Sequence, residues 1–182
     1  MRSFISALLF LSVSISLSAQ SNHEHATTDI THETSHPKFR VASFISHTLI
    51  PTPFNESHAF IPSWGIDLEY WPSSRFGIGL HNDIELETFF VEGPEEELVE
   101  REYPIVSTLD ALYRPVGGFI LVAGIGYEFE KMDDFFILRF GAEYEFELAN
   151  HWDVFTTFSY DTSTGDRNYH TYTFGVGFGK RF

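Results

Sequence analysis

The chain has 182 residues, room for one domain, and carries 26 acidic against 11 basic side chains for a net charge of −15. That balance excludes a nucleic-acid binder, because phosphates are neutralised by Lys and Arg. The absence of cysteine excludes a disulfide framework, a thiolate metal site and a lipid anchor on cysteine.

Residues 1–19 read as a secretory signal peptide. Arg2 supplies the positive start, Phe4 to Ile15 are apolar apart from serines, and Ser16, Ser18 and Ala19 are the small residues of a cleavage site. Beyond it no run of about 20 apolar residues occurs, so helical membrane spans are not expected. Residues 20–38, QSNHEHATTDITHETSHPK, bury too little to offset ordering and are expected to be a disordered polar tail. Its histidines, His23, His25, His32 and His36, are a candidate Zn²⁺ or Cu²⁺ site, with a plain solvated tail as the simpler alternative. The string from His32 to His36 also matches H-E-x-x-H. A zinc protease needs that motif on a helix, which Thr34, Ser35 and Pro37 oppose.

From Phe39 the dominant signal is alternation of apolar and polar residues, the period of half-buried strands. The stretch 61–71 sets Trp64, Ile66, Leu68 and Tyr70 against Ser63, Gly65, Asp67 and Glu69. A third strand is expected from Phe76 to Phe90, with Asn82 breaking its apolar face. Leu121, Ala123, Ile125, Tyr127 and Phe129 form the next clear face, then Leu138, Phe140, Ala142, Tyr144 and Phe146, and last Tyr172, Phe174, Val176 and Phe178. Segments 39–50, 103–113 and 152–160 alternate less cleanly and bring the expected strands to eight. WPSSRF, RPVGG and ANHW read as short turns at one end. TPFNESHA, EGPEEELVER, KMDD and TSTGDRN read as loops at the other.

Glycines lie on the polar face, which suits a narrow lumen, and aromatics cluster near strand ends. Tyr70, Tyr113, Phe119 and Trp152 are expected at the inner edge, and Phe90, Phe129, Phe136 and Tyr160 at the outer edge. Paired aromatic girdles around a polar interior mark transmembrane barrels. Residues 39–182 are therefore expected to form an all-β, up-and-down antiparallel transmembrane β-barrel, with a soluble lipocalin-like barrel as the alternative.

The C-terminal residues FGVGFGKRF end an alternating strand on Phe182. In this the chain resembles the small eight-stranded bacterial outer-membrane β-barrels of the OmpA transmembrane-domain or OmpX type. Lys180 departs from the apolar residue usual there, and it can snorkel. The resemblance implies an outer-membrane location, recognition of the terminal strand by the barrel-assembly machinery, contact with lipids and lipopolysaccharide, and a monomer. It does not specify a function.

Within the lumen, Asp67, Glu69, Glu145, Glu147 and Asp153 are expected to pair with Arg75, Arg114 and Arg181 near the inner end. Asp83, Glu85, Glu87, Glu128, Glu130 and Asp161 lie near the outer end with Arg139 as their cation, in a mouth expected to be wet and open. Glu85, Glu87, Glu128 and Glu130 are a candidate divalent-cation site built of hard oxygens. No cofactor and no catalytic site is expected. The adjacent pairs Ser46-His47 and Ser57-His58 put their side chains on opposite faces of a strand. The expected function is a non-enzymatic structural or surface-interaction role. The alternatives are a barrel conducting small solutes or cations and, less favoured, a lipid-modifying enzyme.

Overall fold

The computed structural model describes residues 38–51, 58–92, 98–130, 134–164 and 170–182. The expected signal peptide, most of the expected tail with its four histidines, and Ser57 lie outside the described residues. Eight antiparallel strands close a barrel: β1 (Phe39–Pro51), β2 (His58–Tyr70), β3 (Phe76–Glu85), β6 (Ile105–Val116), β7 (Phe119–Phe129), β8 (Phe135–Glu147), β9 (Trp152–Thr164) and β10 (His170–Arg181). Each pairs with its neighbours in chain order, and β1 closes on β10 from Arg40↔Arg181 to Leu49↔Tyr172. Closure leaves no unpaired edge in the wall. The short turns 71–75, 117–118 and 148–151 stand at one end, the end that faces the periplasm in such barrels.

The exposed face of the wall is apolar, with Ile45, Leu68, Leu80, Leu109, Ile125, Phe140 and Val176 among its residues. Aromatic pairs rim it at both ends. Phe39–Tyr70 and Phe76–Tyr113, each with centroids 5.0 Å apart, lie at the inner end, and Tyr160–Tyr172 at 5.1 Å at the outer end. At the inner end Lys180 snorkels, its Nζ 4.8 Å from the centre of the Trp152 ring. Asn82 does face outward, and its register partner Ser107 donates a 2.8 Å hydrogen bond to its Oδ1. Ser43 likewise accepts from Trp64 Nε1 at 3.1 Å. Polar groups on a lipid-facing wall need such partners, because no water reaches them.

Two expectations are corrected. The strand expected from Phe76 to Phe90 stops at Glu85. After a bend at Leu86 and Glu87, a separate hairpin forms from β4 (Thr88–Glu92) and β5 (Leu98–Glu102). Phe90 is therefore on the hairpin and not in the outer girdle. The cause is apolar burial: Phe89 and Val91 pack on Ile50, Ile61, Phe135 and Ile137, which a straight continuation of β3 could not reach. Tyr103, at φ 48°, turns the chain back into the wall at Ile105.

The lumen is also less polar than expected. Ala42, Phe44 and Phe155 cluster inside it, and Trp71, Leu112, Ile120 and Val122 fill its inner end. Glycines make the room. A Cβ on Gly177 would lie 2.6 Å from the Phe155 ring, and one on Gly65 would overlap Phe44. This explains the poor alternation of β1 and β9, in which bulky apolar residues occupy both faces.

Candidate functional site

Among the described residues five arginines organise the lumen. Arg40 follows outward-facing Phe39 on β1, so the pleat turns it inward, where it is 1% exposed. Its guanidinium donates to Asp153 at 2.8 Å, to Glu143 at 2.9 Å and to Glu69, with Glu145 3.2 Å away. Its flat face lies 4.5 Å from the Phe155 ring centre. These partners come from β2, β8 and β9, so one side chain ties four strands across the bore. Below it, Arg114 donates to Glu145 at 2.5 Å, and Arg181 bonds Glu145 and approaches Asp153 at 3.4 Å.

The expected inner network is thus formed by Glu145, Asp153, Arg114 and Arg181, with Arg40 as the unanticipated hub. Glu69 joins through Arg40 and also accepts from Trp71 Nε1 at 2.6 Å. Glu147 stays at the rim, its side chain 75% exposed and 3.9 Å from Arg181. Arg75 is not part of it and lies in the exposed inner turn.

At mid-height, Arg139 donates to Asp161 at 2.6 and 2.8 Å and to Asp83 at 3.0 Å, as expected. His81 Nδ1 lies 3.2 Å from Asp110 Oδ2, which also accepts from Thr108 at 2.7 Å. Asp67 and His81 are register partners and line a cavity of about 20 Å³ with Arg139 and Glu143. That is room for about one water.

The outer mouth is covered rather than open and wet. Arg101, on β5, reaches down from the hairpin and is 0% exposed. It donates to Glu128 at 2.5 Å, lies 3.5 Å from Glu130 and stacks 4.2 Å from the Phe135 ring centre. The outer acids therefore have two arginines, Arg139 and Arg101. Glu85 is buried, Glu87 is exposed in the bend, and Glu128 and Glu130 are engaged by Arg101. Among the described residues no group of three or more His, Asp or Glu is arranged to hold a metal. Parity along β5 marks Arg101 as a mate of Phe89, its register partner, but that signal exists only once a hairpin is recognised there.

From the outer end inward the bore is thus crossed by the apolar lid, Arg101, Arg139, the Phe44–Phe155 pair, Arg40 and the Trp71 cluster. A cavity of about 280 Å³ lies at the inner end, lined by Trp71, Arg114, His151 and Arg181 among others. Ser46 is buried on the lumen side while His47 is exposed and stacked on Phe60 at 4.4 Å, so the two do not form a nucleophile and base.

No protein-family model and no curated protein matches the chain. Among solved structures it is similar to Ail, the attachment invasion locus protein of Yersinia pestis. The identity is 13% and the TM-score 0.57, over 81% of this chain and all (100%) of that one. Ail in complex with the heparin analogue sucrose octasulfate gives a TM-score of 0.55 at 13% identity, over 80% and 98%. At that identity the likeness concerns the fold: the chain is a closed, eight-stranded, up-and-down barrel of outer-membrane type. Its exposed apolar wall with aromatic rims is the surface of a barrel embedded in a bacterial outer membrane.

Proposed function

We propose that this barrel is non-enzymatic and serves a structural or surface-interaction role at the outer membrane. The observation that carries the reading is the filled lumen. Arg40, Arg101 and Arg139 are all buried in ion pairs with acids of the facing strands, and the β4–β5 hairpin packs apolar side chains over the mouth. Side chains fill the interior of a barrel of this size, and here they leave no wide water path for the conducting alternative. The lipid-modifying reading finds no nucleophile and base in the adjacent pair Ser46-His47, whose side chains lie on opposite faces of β1. The wall meets membrane lipids and lipopolysaccharide, and the terminal strand is the part offered to the barrel-assembly machinery. Ail binds a polyanionic heparin analogue in the complex described above. The outer loop sequences of this chain carry Lys131 and Arg167 against a larger number of acids, among them Glu95, Glu96, Glu97, Asp133, Asp134 and Asp166, a balance that disfavours the same ligand class outside.

Single-channel recording in planar bilayers tests this reading. The protein is expected to give no discrete steps in 1 M KCl, and regular cation-selective steps would overturn it.

The divalent-cation site at Glu85, Glu87, Glu128 and Glu130 takes a narrower form: Arg101 occupies the place of the ion. CaCl₂ and NaCl at matched ionic strength are then expected to raise the melting temperature of the native protein equally, by screening. In Arg101→Gln the stranded acids can bind Ca²⁺, so a calcium-specific rise is expected in that variant alone. A calcium-specific rise in the native protein, or none in the variant, would contradict it.

A further inference from the structure

We infer that the outer face of the β4–β5 hairpin is a docking surface for a basic, extended polypeptide segment bearing apolar side chains. The inference rests on the surface-interaction reading above and names the partner class.

Alternation gives the hairpin two faces. Phe89, Val91 and Arg101 point down as anchors, whereas Thr88, Phe90, Leu98, Glu100 and Glu102 are not part of the buried lid. Phe90 is 41% and Leu98 52% exposed, an apolar pair in an acidic frame. The surface also lies beyond the bilayer. From Phe76 to Ile84, β3 rises about 3.4 Å per residue at a tilt of about 40° and so climbs about 21 Å, most of the ~25 Å apolar band. The hairpin begins only after that, so its exposed apolar residues do not face acyl chains.

The platform is held rigid from below by the Arg101 pairs with Glu128 and Glu130 and by the apolar lid. A partner would therefore not have to order it on binding. Among the described residues β4 and β5 pair only with each other, so their outer edges can accept a further strand through backbone hydrogen bonds.

Charge selects the occupant. Glu87, Glu100 and Glu102 are exposed here, and in the outer loop sequences as a whole the two cations, Lys131 and Arg167, are outnumbered by acids, among them Glu95, Glu96, Glu97, Asp133, Asp134 and Asp166. Such a field attracts a cationic segment and repels sulfated sugars or lipid phosphates.

The test uses the full-length mature protein in nanodiscs and a fluorescein-labelled ten-residue peptide alternating Lys and Val, read by anisotropy at physiological ionic strength. The comparison probes are the same peptide with Glu for Lys, and heparin. The Lys/Val peptide is expected to bind. Glu100→Lys, and separately Phe90→Ser with Leu98→Ser, should each weaken it about tenfold or more. Asp134→Asn, an exposed outer acid off the hairpin, should change it less than about twofold. Retained anomalous gel migration of unboiled samples shows that each variant is folded.

No binding of the Lys/Val peptide, preferential binding of heparin or the Glu peptide, or equal weakening by Asp134→Asn would overturn the inference. So would self-association of the native protein that Phe90→Ser with Leu98→Ser abolishes, which would make a second copy the occupant. Conductance steps would defeat the surface-role reading itself, whereas peptide failure in a silent barrel defeats only this inference.

Discussion

Arg40→Ala is expected to lower the unfolding free energy of the folded barrel by about 3–5 kcal/mol, the usual effect of stranding buried charge. Arg40 engages Glu69, Glu143 and Asp153 directly and lies 3.2 Å from Glu145. Removing it leaves these carboxylates facing one another where water does not enter freely, with Arg181 and Arg114 reaching only Asp153 and Glu145. Size is not the issue, so Arg40→Met should be nearly as harmful. Adding Glu69→Gln and Glu143→Gln to Arg40→Met should recover a large part, because the repelling charges go with the cation. Urea unfolding in detergent micelles, followed by tryptophan fluorescence, measures each step. A loss under about 1 kcal/mol for Arg40→Ala would mean that the network adds little.

Leu80→Arg is expected to cost about 2–4 kcal/mol, the price of a guanidinium near the midplane on a lipid-facing strand. Leu80 is exposed on the wall of β3 between Ile78 and Asn82. Its neighbour Gly79 faces inward, and Gly79→Ala would bring a methyl 2.6 Å from His81 Nε2, the movable end of an imidazole. The arginine variant should therefore be clearly the worse of the two in the same unfolding assay. The reverse order would place Leu80 in the lumen and invert the face assignment of the strand.

Much of the barrel was legible in the sequence because its signal is simple. A wall with lipid on one side and a narrow polar bore on the other imposes period-two alternation, and β2, β7, β8 and β10 carry it with few exceptions. The unclear strands were those that put large apolar residues inward, such as Phe44 on β1 and Phe155 on β9. Their space comes from glycines on other strands, a relation that local pattern does not contain.

The same gap hid Arg40, whose strand had no firm register, although Arg139, Asp83 and Asp161 came together as their parity implied. The hairpin was missed for a different reason. EGPEEELVER has the composition of a solvated loop, and only long-range packing of Phe89 and Val91 on the lid, with Arg101 over Phe135, makes it a covering element. An acidic mouth read strand by strand therefore looked open and short of cations.

The central claim, a membrane-embedded barrel with the hairpin outside and the short turns inside, is tested most directly by single-cysteine labelling, which the cysteine-free chain permits without background. Leu80→Cys, Glu100→Cys and Ser74→Cys would be expressed singly in a Gram-negative host and treated with a membrane-impermeant maleimide. Glu100→Cys should label on intact cells and Ser74→Cys only after the outer membrane is opened. Leu80→Cys should resist the reagent in both cases and react once the protein is unfolded. Labelling of Leu80→Cys in the folded protein, or of Ser74→Cys on intact cells with Glu100→Cys protected, would contradict the account.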